Sequence, residues 1–166
     1  MHPNQPPRHR PRILVDADSC PVVDDIVDLA HTQGIQICLI SNICHDYSSL
    51  DNVSLIQVDN EPEAADLALM NYSRTGDIVV TQDMGVASML LGKKAKVLSP
   101  RGLIYTEENI VPLLEMRHTM QKERRRGHWR GGGPKRFSES DRRRFLKSLR
   151  HLLSPGKKEG ENDQGD

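Results

Sequence analysis

Ile13-Leu14-Val15-Asp16-Ala17-Asp18-Ser19-Cys20-Pro21 decides the fold. Three consecutive apolar residues, two of them β-branched, suit a short strand covered on both faces, and Asp16-Ala17-Asp18-Ser19 ends it. Pro21 then suits a first helical position, and Asp24 and Asp25 suit a first turn, where acids complement the helix dipole. Val22, Val23, Ile26, Leu29 and Ala30 share one face, and Gly34 is a natural stop. Residues 35–40 give a second strand, which closes a βαβ unit.

Outward from this unit the alternation continues. A third strand spans 53–58, and Pro62 opens a helix with Ala65, Ala68, Leu69 and Tyr72 facing the sheet. A fourth strand spans 78–80 and is ended by Thr81-Gln82-Asp83. A short helix over 86–91 and a fifth strand over 96–98 precede Pro100-Arg101-Gly102. Strands alternating with helices over this length predict an α/β fold with a three-layer parallel sheet. Thr106 reads as an N-cap before Glu107 and Glu108, with Pro112 set to kink or restart that helix. Gly131-Gly132-Gly133-Pro134 breaks the chain. Ser138-Glu139-Ser140-Asp141 then caps a last helix whose Phe145, Leu146, Leu149, Leu152 and Leu153 form one stripe. The reading is a flexible leader over 1–11, one domain over 12–153 that includes a basic helical C-terminal extension, and a disordered tail over 154–166.

The 166 residues carry 23 Lys plus Arg against 23 Asp plus Glu, a balance that conceals two unlike halves. Residues 1–116 hold 8 basic and 16 acidic side chains, whereas 117–166 hold 15 basic and 7 acidic. Cys20, Cys38 and Cys44 form no CxxC pair, so no disulfide partner and no zinc finger is expected. No apolar run has the roughly 18 residues of a membrane span, and the first residues lack a signal core, so a cytoplasmic protein without membrane contact is expected. Nothing in the sequence bears on oligomeric state.

In an open parallel sheet, ligands bind beyond the C-terminal strand ends. Asp16 and Asp18 follow the first strand, Asp83 follows the fourth, and Asp66 sits a turn into the helix after the third; Asp59 is a spare. At about 5 Å each pair of carboxylates repels by roughly 3 kcal/mol at an effective dielectric near 20. A hard, oxygen-liganded Mg²⁺ or Mn²⁺ ion relieves that repulsion, as does protonation. Capping is the competing role for Asp18, at the first helix, and for Asp83, at the short one. Asp16 precedes any cap.

Residues 13–21 closely resemble the start of the YaiI/YqxD family, also called UPF0178 or DUF188. The blocks Gly76-Asp77-Ile78-Val79-Val80-Thr81-Gln82-Asp83, Ser99-Pro100-Arg101-Gly102 with Tyr105, Asn109-Ile110, and Gly133-Pro134 with Phe137 and Asp141-Arg142 extend the likeness over 12–153. That family is similar to PIN-like domains, metal-dependent nucleases. In these, an Asp after strand one, an acid in a middle helix and an Asp in a Thr-x-Asp segment bind Mg²⁺ or Mn²⁺. The resemblance implies a PIN-like fold, Asp16, Asp66 and Asp83 as catalytic metal ligands, and Asp18 as an accessory ligand.

Between Arg117 and Lys158 lie 15 basic and 3 acidic residues, with Trp129 and Phe137 interspersed. Phosphate contacts from such a segment give salt-sensitive affinity, and an aromatic stacks on an unpaired base. Arg117, Arg124, Arg125, Arg126, Trp129, Lys135 and Arg136 are therefore candidates for binding RNA or another nucleic acid, with Arg101 beside the acidic edge. The competing role for these cations is pairing with the acidic body. Cys44-His45-Asp46 lacks further zinc ligands, and His118 and His128 read as surface residues. The expected function is a metal-dependent ribonuclease. Its alternatives are a non-catalytic nucleic-acid or ribosome-associated module, and a haloacid-dehalogenase-like phosphatase using Asp16 as nucleophile with Ser41 and Lys93.

Overall fold

A computed structural model of the chain describes residues 10–43, 46–128, 131 and 135–154. Six strands form one sheet: β1 (Ile13–Asp16), β2 (Ile37–Ser41), β3 (Val53–Gln57), β4 (Ile78–Val80), β5 (Lys96–Leu98) and β6 (Ile104–Tyr105). Their order across the sheet is β3-β2-β1-β4-β5-β6, parallel throughout except for β6 against β5. Among the described residues five α-helices cover it: α1 (Val23–Gln33), α2 (Ala64–Tyr72), α3 (Met84–Gly92), α4 (Glu107–Arg125) and α5 (Glu139–Leu153).

Ile13, Leu14 and Val15 are wholly buried because successive strand side chains enter opposite layers. Ile13 and Val15 pack with Ile26 and Ala30 of α1 and with Phe145 and Leu149 of α5. Leu14 packs with Leu69 of α2, Leu90 of α3 and Ile110 of α4. This is the three-layer α/β arrangement read from the sequence, consistent with a PIN-like fold, and it gives the stripe on α5 its docking face.

Several boundaries differ from the sequence reading. Pro21 and Pro62 fall in the turns before α1 and α2, because the helices start at Val23 and Ala64. The last helix of the body, α4, runs unbroken through Pro112, started by a reciprocal cap in which Thr106 Oγ1 accepts from Asn109 N and Asn109 Oδ1 from Thr106 N. The antiparallel β6, only two residues long, follows the turn at Gly102 and has no counterpart in the sequence reading. At the N-terminal edge Asp77, 2% exposed, ties β4 to the start of β1 through Arg12 Nη2 at 2.7 Å. No helix among the described residues is long and apolar enough to cross a membrane.

The parallel register aligns Val15 with Leu39, Val80 and, through Val80, Leu98, so the chain leaves β1, β2, β4 and β5 at one common edge. Chain order reverses between β1 and β4. That switch point opens a crevice, where Asp16 and Asp83 stand on either side.

Candidate functional site

Asp16 ends β1 half-buried, and the chain then turns through one 3-10 turn, Ala17–Ser19. Ser19 Oγ donates to Asp16 Oδ2 at 2.8 Å, leaving Oδ1 without a hydrogen bond among the described residues. Burial pushes the Asp16 carboxyl above its ordinary pKa; the Ser19 bond opposes this and the charge of Asp18 adds to it.

Asp83 is the N-cap of α3, as one of its two sequence readings had it. Its Oδ1 accepts from Gly85 N at 2.8 Å and Val86 N at 3.1 Å, while its own N–H donates to Thr81 Oγ1 at 3.1 Å. One carboxylate oxygen is thus committed to the helix and the other is not. A cap fixes the carboxylate on its helix end; it does not consume it.

Asp66 lies in the first turn of α2, half-buried, with no hydrogen bond or ion pair among the described residues. Its carboxyl is pushed up by burial first, then by the charges of Asp83 and Asp16, and then by Glu63. Asp66 therefore feels acids from two other stretches of chain across this edge. They are neighbours at electrostatic range: among the described residues, no three His, Cys, Asp or Glu side chains form a ready-made metal-binding group.

Asp18 does something else. The expectation that it caps the first helix is corrected, because the 3-10 turn and Cys20-Pro21 intervene and the cap of α1 is Val22, without a side-chain bond. Its carboxylate instead accepts from Ser41 Oγ and, at 2.7 Å, from Asn42 N, locking the turn after β1 to the end of β2. Asp59 stays exposed.

Arg101 meets neither a free edge nor the clustered acids. Its Nη1 pairs with Asp141 Oδ2 of α5 at 2.8 Å, its Nη2 donates to Lys135 O, and its guanidinium lies 5.9 Å from the Phe137 ring centre. Arg117, on α4, is close enough to the acidic edge to act on the same phenol as Asp83. Burial and Asp83 raise the Tyr105 pKa, and Arg117 lowers it. Arg124, Arg125 and Arg126 are exposed at the end of α4, with Arg126 reaching Glu123 at 3.6 Å. Lys135 and Arg136 are exposed, and Trp129 lies outside the described residues, as do Cys44 and His45. Part of the basic run does pair with the body, since Arg142 bonds Asp25 of α1 at 2.5 Å, whereas Arg144 bonds Asp141 of its own helix at 3.3 Å.

Lys93 sits at the far end of α3, where its Nζ donates to Ser73 O at 2.9 Å and to Met70 O. It is therefore at the opposite edge from Asp16, and the phosphatase reading loses its lysine.

Sequence reasoning missed a cleft of about 340 Å³ lined by Pro21, Gln82, Ser99, Arg101, Tyr105 and Phe137, among others. The available signal was composition: only six aromatic residues occur in the chain, and Tyr105 and Phe137 fall beside the conspicuous turns.

The raised Asp66 carboxyl has a thermodynamic consequence. Native Asp66 keeps its proton to higher pH than the unfolded chain does, so folding loses stability as pH rises from the ordinary carboxyl value near 4 through the raised native one. Asp66→Asn removes that loss. Calorimetric melting of the metal-free protein should show a Tm gain at neutral pH and almost none below about pH 3. An unchanged Tm at neutral pH would mean that the acids do not press on one another.

The family model described as Uncharacterized BCR, YaiI/YqxD family, matches residues 14–155. A UPF0178 protein of Shouchella clausii is 44% identical over 147 residues, covering 89% of this chain and 95% of that protein. One of Ruminiclostridium cellulolyticum is 46% identical over 153 residues, covering 92% and 97%, and one of Alkaliphilus metalliredigens is 37% identical over 154, covering 90% and 99%. No solved structure matches the chain. The matched span takes in every element from Leu14 of β1 to the end of α5, so the acidic edge and the cleft both lie within it, and the chain belongs to the YaiI/YqxD (UPF0178) family.

Proposed function

We propose that this protein is a divalent-metal-dependent phosphodiesterase acting on RNA. The observation that supports it is the convergence of Asp16, Asp66 and Asp83 on one sheet edge, near enough for Asp66 to respond to both of the others. The donor chemistry fits: these are hard carboxylate oxygens, and Asp16 Oδ1, Asp83 Oδ2 and both oxygens of Asp66 have no hydrogen bond among the described residues. The spacing requires movement, because the side chains do not form a cage as they stand. An Mg²⁺ or Mn²⁺ ion held by these three residues would supply Lewis acidity toward a phosphate oxygen and lower the pKa of the attacking water.

The chain's own residues divide the remaining work. The first turn of α3 fixes Asp83, and the Ser19 hydroxyl fixes Asp16, so two of the three carboxylates are oriented before anything binds. Arg117 flanks the edge and offsets its negative charge toward a polyanion, and Arg124 to Arg126 continue that positive line along the exposed end of α4.

One observation favours a second reading, a non-catalytic nucleic-acid-binding module. The absence of a preformed metal group among the described residues, with Asp18 and one oxygen of Asp83 in structural use, is what a scaffold retained for binding alone would show. Titration calorimetry with Mn²⁺ separates the two. The phosphodiesterase reading expects a binding isotherm for wild type whose affinity falls at least about tenfold in Asp16→Asn. No heat of binding, together with RNA affinity that survives EDTA and falls steeply with salt, would leave the binding module.

A further inference from the structure

Beside the acidic edge, the cleft of about 340 Å³ has walls from the same segments that carry the acids. Gln82 immediately precedes Asp83, and its Nε2 donates to Ser19 O in the turn that follows Asp16. Pro21 closes that wall. The opposite wall comes from the β5–β6 turn and from Phe137, whose ring lies under the Arg101 guanidinium. A nucleotide whose phosphate reached Asp16 and Asp83 would therefore have this cleft next to it.

The lining has the composition of a base site: two aromatic residues, two prolines, and a few polar groups with unused capacity. Tyr105 is only 5% exposed, and its hydroxyl has no hydrogen-bond partner among the described residues. Burial and Asp83 raise its pKa, so the phenol keeps its proton at neutral pH and can donate it. Ser99 Oγ accepts from Leu103 N at 3.0 Å, which leaves its own proton to donate. Gln82 spends its amide N–H on Ser19 and retains Oε1 as an acceptor. The Tyr105 hydroxyl is not among the buried atoms left without a partner, so it is open to a ligand in the cleft, and donors and an acceptor in such a lining match the edge of an unpaired base.

We propose that this cleft receives an unpaired base of single-stranded RNA, adjacent to the phosphodiester at the acidic edge. The inference rests on the phosphodiester reading for its choice of ligand, but it does not depend on catalysis. A cleft of about 340 Å³ has room for an unpaired base, and paired RNA is excluded because its base edges are occupied.

The test is fluorescence anisotropy in EDTA, with a labelled oligouridylate and an abasic ribose-phosphate oligomer of equal length and charge. Wild type should bind the base-bearing strand about tenfold more tightly. Phe137→Ala should bring that ratio close to one, and Tyr105→Phe should lower it about two- to threefold, while affinity for the abasic strand stays unchanged in both. Tyr105→Phe keeps the ring and the packing, so it remains informative if Phe137→Ala loosens Arg101. Equal affinity of wild type for the two strands, or a ratio that neither variant moves, overturns the proposal. Because no metal is present, base discrimination without any Mn²⁺ binding would retain the cleft and remove only the phosphodiesterase.

Discussion

Mn²⁺-dependent cleavage of single-stranded RNA is expected to fall by roughly 1,000-fold or more when Asp16→Asn and Asp83→Asn are combined. The size follows from what asparagine keeps and what it loses. In Asp83→Asn the amide retains a side-chain oxygen for Gly85 N and Val86 N, and asparagine is among the best N-cap residues, so α3 should start where it does now. In Asp16→Asn an acceptor likewise remains for Ser19 Oγ. What disappears is two negative charges at the edge shared with Asp66. The double variant should therefore melt no lower than wild type at neutral pH, since it also relieves the pressure on Asp66. Loss of cleavage with unchanged melting would identify the carboxylates as the working groups. Equal cleavage by the double variant would trace the activity to a contaminating nuclease and leave the edge without a catalytic role.

How far this site could be read beforehand depended on whether a residue's job is local or distant. The fourth and fifth strands were legible to the residue, at Ile78–Val80 and Lys96–Leu98, because a buried parallel strand is a short apolar run with punctuation on both sides. Asp16 and Asp83 were legible for the same reason: a strand end fixes the edge at which its next residues emerge. Asp18 was not, since its sequence neighbours suggest a cap, while its partners Ser41 and Asn42 lie 23 and 24 residues away at the end of another strand. The partner of Arg101 was equally hidden. An arginine after a strand near acids suggests a phosphate or a pairing with those acids, yet the aspartate it meets, Asp141, stands 40 residues on, in a helix whose stripe was evident but whose docking face was not. The clasp of Asp77 by Arg12 across 65 residues left no local trace at all.

That same docking face makes Gly102 the most crowded of the described glycine positions, and for Gly102→Ala a loss of about 3 kcal/mol or more, or roughly 10 °C in Tm, is expected by calorimetry. Two causes add. Gly102 has φ +91°, a conformation that an L side chain rarely adopts and that costs on the order of 1–2 kcal/mol. A Cβ there would stand 2.7 Å from Arg144 C and Phe145 N and 2.8 Å from Arg144 O, all backbone atoms of α5 that cannot rotate aside. The helix would have to retreat from the turn, breaking the 2.7 Å bond from Ser148 Oγ to Gly102 O and lifting Phe145 and Leu149 from the core they share with β1. Asp141 would be drawn from Arg101 and Phe137 would move, so the cleft beside the acidic edge should open as well. A substitution at the acids should spare the fold and remove chemistry, whereas this one should weaken the fold and, even where the chain still folds, relax base discrimination while Mn²⁺ binding at Asp16, Asp66 and Asp83 persists. Mn²⁺ affinity falling in step with base discrimination in Gly102→Ala would show that edge and cleft move as one unit.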